Sequence, residues 1–173
     1  MKKVLTIGLA FSLVVAPLTV SAQTSDEQLT KDHVVNWNNV WEEVDQNQPS
    51  QEIDFGSTVD PSSIGVKKWG ELSTGKTAMS KNLLKFTATS TGTSKGKVLT
   101  TTTSATTSVR DNNSGKTTNG PKKMAVAKFT AESTASRNYT MGTANSFTGV
   151  TIHTATHDGI LYDARTSDGI LTY

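Results

Sequence analysis

Gly70-Glu71-Leu72-Ser73-Thr74-Gly75-Lys76-Thr77 spells, letter for letter, the glycine-rich pattern that wraps a nucleotide's phosphates. That chemistry needs amides freed by glycine, a lysine that reaches the terminal phosphates and a hydroxyl on magnesium. It also needs a buried hydrophobic strand before the loop and a helix after it. Val66-Lys67-Lys68-Trp69 is no such strand, and no apolar run ending in Asp offers a second magnesium ligand. In a chain this rich in Gly, Lys, Ser and Thr the pattern arises by chance, so neither a nucleotide nor another cofactor is expected.

His153 and His157 stand four apart, with Asp158 adjacent. On a helix that spacing would set two imidazoles on one metal ion. Their neighbours Val150-Thr151-Ile152 and Thr154-Ala155-Thr156 are strand formers, however, and four residues along a strand span roughly 13 Å. Both rings would share a face and still be too far apart for one ion, so no metal site is expected. Ser73-Thr74-Gly75-Lys76 and Ser94-Lys95-Gly96-Lys97 each fit a Ser-x-x-Lys dyad. Such a dyad needs a buried lysine of lowered pKa at a helix start, and nothing around either pair suggests one. No Gly-x-Ser-x-Gly elbow occurs. A hydrolase would require a deep cleft in which His153, Asp158 and a serine converge.

The elements that must position these residues read as a helix followed by strands. Ser25 and Gln28 have capping-box spacing. Leu29, His33, Trp37, Val40, Trp41 and Val44 then recur at three- and four-residue steps along one helical face, up to Asn47 and Pro49. Two tryptophans four apart could form a sugar platform or a membrane-interface anchor; packing of the helix onto a sheet is the preferred reading. From Gln51 to Gly75 turn formers alternate with isolated apolar residues, which reads as loop with one or two short strands. Beyond it the β-branched composition predicts strands near Leu83–Ser90, Lys97–Arg110, Lys122–Ala135, Arg137–Thr143, Thr148–Thr156, Gly159–Ala164 and Gly169–Tyr173. Thr87–Ser108 contains no proline, which favours an ordered sheet over a disordered stalk. The C-terminal Asp158-Gly159-Ile160-Leu161 and Asp168-Gly169-Ile170-Leu171 read as two successive turn–strand units.

The 97–135 region alternates on both sides of a polar loop at Asp111–Pro121. Leu99, Thr101, Thr103, Ala105, Thr107 and Val109 share one strand face, and Lys123, Ala125, Ala127, Phe129 and Ala131 share another. Two long alternating strands are what the stem of an oligomeric β-pore requires. A half-buried surface hairpin has the same pattern, and this apolar face is mostly Thr and Ala.

Of the 173 residues 29 are Thr, 18 are Ser and none is Cys, which excludes a disulfide framework, a thiolate metal site and a thiol nucleophile. Lys2 and Lys3, the apolar run from Val4 to Val15 and Val20-Ser21-Ala22 read as a secretory signal cleaved after Ala22. The charges segregate: Asp26 to Glu71 holds ten acids and three lysines, whereas Lys76 to Arg137 holds eleven bases and two acids. Either the acidic stretch neutralises the basic one within one fold, or the basic stretch is a contact surface for an anionic partner.

These features point to a mainly β fold, a small antiparallel β-sandwich or partly open barrel, preceded by one N-terminal amphipathic α-helix. The chain divides into a signal peptide at 1–22, a helix and linker at 23–50 and a β-rich domain at 51–173. With no complete catalytic constellation, the expected function is a secreted, non-enzymatic interaction with an anionic wall polymer or lipid headgroups, and not with nucleic acid. The candidate contacts are Lys95, Lys97, Arg110, Lys116, Lys122, Lys123 and Lys128. The alternative is a membrane-active, bacteriocin-like toxin working through the 97–135 hairpin.

Overall fold

Threonine-rich runs fold here as the β-branched side chain prescribes, into extended strands. The computed structural model describes residues 21–44, 50–59 and 69–173. Of the expected signal peptide at 1–22, residues 1–20 lie outside the described residues, as do Ile64 and Val66. In chain order the elements are α1 (Ser21–Asp32), α2 (Trp37–Glu42), β1 (Ile53–Phe55), β2 (Ser73–Asn82), β3 (Thr87–Gly96), β4 (Thr102–Asp111), β5 (Thr117–Asn119), β6 (Lys123–Val126), β7 (Thr130–Asn138), β8 (Asn145–His157) and β9 (Ile160–Thr172). Two antiparallel sheets pack together. One has the order β1-β2-β3-β7; the other runs β5-β4-β8-β9, with β6 also paired to β4. The registers gather the turns at 97–101, 127–129 and 158–159 at one end of the sandwich. Those at 83–86, 112–116 and 139–144 lie at the other.

Two short helices replace the single expected one. The backbone is already helical at Ser21, so Ser25 lies within α1 instead of capping it, and Gln28 bonds to Asp32 at 2.8 Å. The last α1 amide bond runs from His33 to Leu29. The β-branched pair Val34-Val35 then leaves the helix, Asn36 is extended, and its side chain accepts from the Asn38 amide to start α2. The break rotates the Leu29-to-Val44 stripe out of alignment. No residue of α2 is fully buried, so Trp37 and Trp41 are half-buried and not core.

Several strands differ from expectation for identifiable reasons. Leu83–Phe86 is a turn, with Phe86 at φ 48°. Ser73–Asn82, where no strand was expected beyond Gly75, pairs with β3 along its whole length. Asp158-Gly159 forms the expected tight turn, both residues at positive φ. Asp168-Gly169 does not turn, because β8 pairs with β9 straight across it and the Asp168 carboxylate accepts from the Met79 amide at 2.7 Å. The 97–135 pair of strands is not one hairpin: β6 stays beside β4, the chain crosses at Ala127–Phe129, and β7 joins β3 in the other sheet. β4 itself is flanked on both edges, by β8 and by β5 and β6, and most of it is buried on both faces.

The core has two small apolar clusters with a polar waist between them. Ala88, Val109, Ala135, Tyr139 and Phe147 fill one end, and Phe55, Leu72 and Ala155 the other. The waist is built of buried hydroxyls: Ser90 bonds Thr107 at 2.8 Å, and Thr77 bonds Thr166 at 2.6 Å. These four hydroxyls are satisfied, as burial of a polar group demands.

Candidate functional site

His153 sits at the centre of that waist, on the inward face of β8, with no solvent exposure. Its Nδ1 lies 2.8 Å from Ser94 Oγ and its Nε2 2.7 Å from Thr166 Oγ1. Ser94 spends its one hydroxyl proton on the Ser104 carbonyl, so the neutral ring is satisfied with its proton on Nδ1, donating to Ser94 Oγ, while Nε2 accepts from Thr166 Oγ1. Among the described residues no carboxylate bonds the ring, and burial pushes its pKa from 6.5 down to about 3. A serine does meet a histidine here, yet both are sealed from solvent and Ser94 donates to the Ser104 carbonyl at 2.7 Å. The pair is a structural hydrogen bond with no route for a substrate.

The other sequence patterns are taken apart by strand geometry. Residues three apart on a strand face opposite ways, so buried Ser73 and exposed Lys76 of β2 cannot form a dyad. Ser94 points into the core, and Lys97 instead bonds Asp54 at 2.6 Å and the Gly70 carbonyl at 2.7 Å. The phosphate-like pattern is strand from Ser73 onward, not loop and helix. Its second glycine has a different use: a Cβ on Gly75 would lie 2.6 Å from the His153 ring, so the absence of a side chain makes room for the imidazole. His157 ends β8, 3.0 Å from Thr100 Oγ1 and 3.5 Å from Asp158, well away from His153. Among the described residues no group of three His, Asp or Glu side chains could hold a metal ion.

The seven candidate cations do not form one face. Lys97 is taken by Asp54, and Arg110 lies over the Trp41 ring at 5.8 Å. Lys122 closes the C-terminus of α1, donating to the carbonyls of Thr30 at 2.7 Å, Lys31 at 3.1 Å and His33. Burial lowers the Lys122 pKa against the opposing pull of Asp32, and burial together with Lys122 holds the His33 imidazole below its usual range. Of these contacts Lys97 on Asp54 pairs the basic stretch with the acidic one, and Arg165 on Glu43 at 3.0 Å neutralises a further acid. The four remaining cations, Lys95, Lys116, Lys123 and Lys128, are exposed, and their ammonium groups have no partner among the described residues.

Because three helix carbonyls depend on one ammonium, Lys122→Met is expected to cost about 1–2 kcal/mol. Hydrogen exchange should accelerate in α1 while β3, β4 and β8 stay protected. Unchanged α1 protection would mean that the cap contributes nothing.

Two surface features escaped the sequence patterns. The first is a tip at the 97–101 end, where the Ala127 amide donates to the Thr101 carbonyl at 2.7 Å and ties two turns together. These turns hold Leu99 and Phe129 at 71% and 72% exposure, with Lys95 and Lys128 exposed beside them. In sequence both apolar residues passed for inward strand positions; the signal was their place beside turn-forming glycine and lysine. The second is a groove of about 480 Å³ between α2 and the β4–β5 corner, lined by Trp37, Asn38, Trp41, Glu42, Arg110 and Asn119 among others. Comparison with known protein families, curated proteins and solved structures finds no match to this chain, so its function is read from the geometry above.

Proposed function

We propose that the protein is an exported, non-enzymatic binding module that attaches to an anionic component of the cell envelope, in the first instance lipid headgroups. The observation that carries this reading is the 97–101 tip, where exposed Leu99 and Phe129 accompany Lys95 and Lys128, which have no partner among the described residues. Cations near an anionic bilayer surface contribute about 1 kcal/mol each. Apolar side chains set between them gain by entering the headgroup boundary, a gain that a hydrated wall polymer does not offer. Export rests on the sequence, on Lys2, Lys3, the apolar run and the small residues up to Ala22. The pore-stem alternative draws no support from a β4 flanked on both edges, since its release would break the ten-residue ladder with β8.

Vesicles carrying a trapped dye, with and without anionic lipid, test this at low and high salt. Binding is expected only to anionic vesicles, weakening as salt rises and without dye release. Replacing Lys95 and Lys128 together by Gln should weaken it about thirtyfold, the equivalent of two lysines. Salt-insensitive binding would overturn the reading, and dye release would favour the toxin. Binding to an anionic wall polymer but not to vesicles would move the partner to the wall.

A further inference from the structure

We propose that the groove between α2 and the β4–β5 corner is a binding site for a carboxylated sugar. In this site Trp37 and Trp41 present ring surfaces and the Arg110 guanidinium receives the carboxylate. A volume of about 480 Å³ is in the range of small-ligand sites and suits one or two sugar rings. The decisive residue is Arg110. It is half-buried and stacked 5.8 Å from the Trp41 ring, and among the described residues its guanidinium has no hydrogen bond or ion pair. Its Nε and the Trp41 Nε1 are both buried, and neither has an acceptor among the described residues. Atoms so enclosed lie beyond a ligand's direct reach, but Arg110 lines the groove and its guanidinium is a donor only, so a ligand that meets it there must bring acceptor atoms.

The rest of the lining narrows the ligand. A guanidinium fork matches a planar carboxylate with two parallel hydrogen bonds. The exposed amides of Asn38 and Asn119 can donate and accept, which suits hydroxyl groups that do both. Half-buried tryptophan rings offer apolar faces for the C–H face of a sugar ring. Glu42 also lines the groove, unpaired with Arg110, and its negative charge disfavours a doubly charged phosphate more than a singly charged carboxylate. A uronic-acid unit fits all four features. The site lies at the opposite end of the sheets from Lys95 and Lys128, so it stands or falls independently of lipid attachment.

Tryptophan fluorescence titration of the whole chain with an oligogalacturonate, and with a neutral glucan of equal length, tests the proposal. Saturable quenching by the uronate is expected, with the neutral glucan at least tenfold weaker. Arg110→Lys keeps a charge but loses the fork and should weaken uronate binding about tenfold or more; the far-ultraviolet circular dichroism of the variant verifies that it folds. The comparison of the two sugars needs no variant, so a folding failure leaves the test intact. Equal binding of both sugars, no saturable quenching, or full affinity in a folded Arg110→Lys would each overturn the assignment.

Discussion

Acidification from pH 6.5 toward pH 4 is expected to lower the unfolding free energy by about 1.4 kcal/mol per pH unit through His153 alone. The unfolded chain binds a proton on this imidazole below its ordinary pKa of 6.5, whereas the folded chain refuses it down to about 3. Within that window the unfolded state holds more protons, so stability rises with pH and is lost as pH falls. Above the window the ring is neutral in both states and contributes no slope. His33, also held low by burial, adds in the same direction. Asp111 acts only near the bottom of the range. Burial raises its carboxyl pKa, but hydrogen bonds from Ser114 and the Asn113 amide outweigh that and leave it below 3.8. Denaturant midpoints at pH 7, 5.5 and 4 for the native chain and His153→Gln separate these contributions. The variant should begin about 2–4 kcal/mol less stable, since Ser94 and Thr166 lose the ring that joins them, and most of the acid slope should vanish. An unchanged slope would show that His153 is not the group excluded from protonation.

Gly96→Ala is expected to be among the most damaging small substitutions. A Cβ there would sit on the Ala127 carbonyl oxygen and 3.2 Å from its carbon. Backbone cannot swing aside as a flexible side chain can, and this backbone is held by the Ala127–Thr101 hydrogen bond, with Ala127 itself at φ 56°. Overpacking of this kind costs about 1–3 kcal/mol, occasionally more, which corresponds to a melting-temperature loss of about 3–10 °C in a chain of this size. Gly142→Ala is the control: its Cβ meets nothing within 4 Å and pays only for a φ of 76°. If the two variants melt together, the close approach of the two turns is not as described. Because Gly96 lies at the base of the tip that carries Leu99 and Phe129, the same substitution should also blunt vesicle binding.

What could be read from the residues follows directly from local physics. Threonine's branched Cβ disfavours helix and fits a pleated surface, so the ordered β character of Thr87–Ser108 was legible, and with it the mainly β sandwich. Asp158-Gly159 was legible as a turn because both positions tolerate positive φ. The strand formers around His153 correctly separated it from His157, since a strand spaces residues four apart by more than any single ion can bridge.

Elsewhere the same residues were ambiguous, and only the tertiary structure decided. Asp168-Gly169 is chemically the same signal as Asp158-Gly159, yet β8 extends past it and β2 supplies an amide for the carboxylate, so the strand runs on. A threonine serves an inner face as readily as an outer one, so alternation of hydroxyls and small residues could not say which face of β3 or β4 meets the other sheet. Lysines of the same basic stretch took separate tasks: Lys122 on helix carbonyls, Lys97 on Asp54, Lys128 exposed beside the apolar tip. The groove joins residues from α2 and β4, far apart in the chain, and the waist joins Thr77, Ser94, His153 and Thr166 from four strands. Local propensity is a property of neighbours in sequence, and it settled the β character of the chain but not every element's bounds. Charge partners, burial of polar groups and the meeting of Arg110 with Trp41 depend on contacts between elements, and no spacing along the chain encodes those.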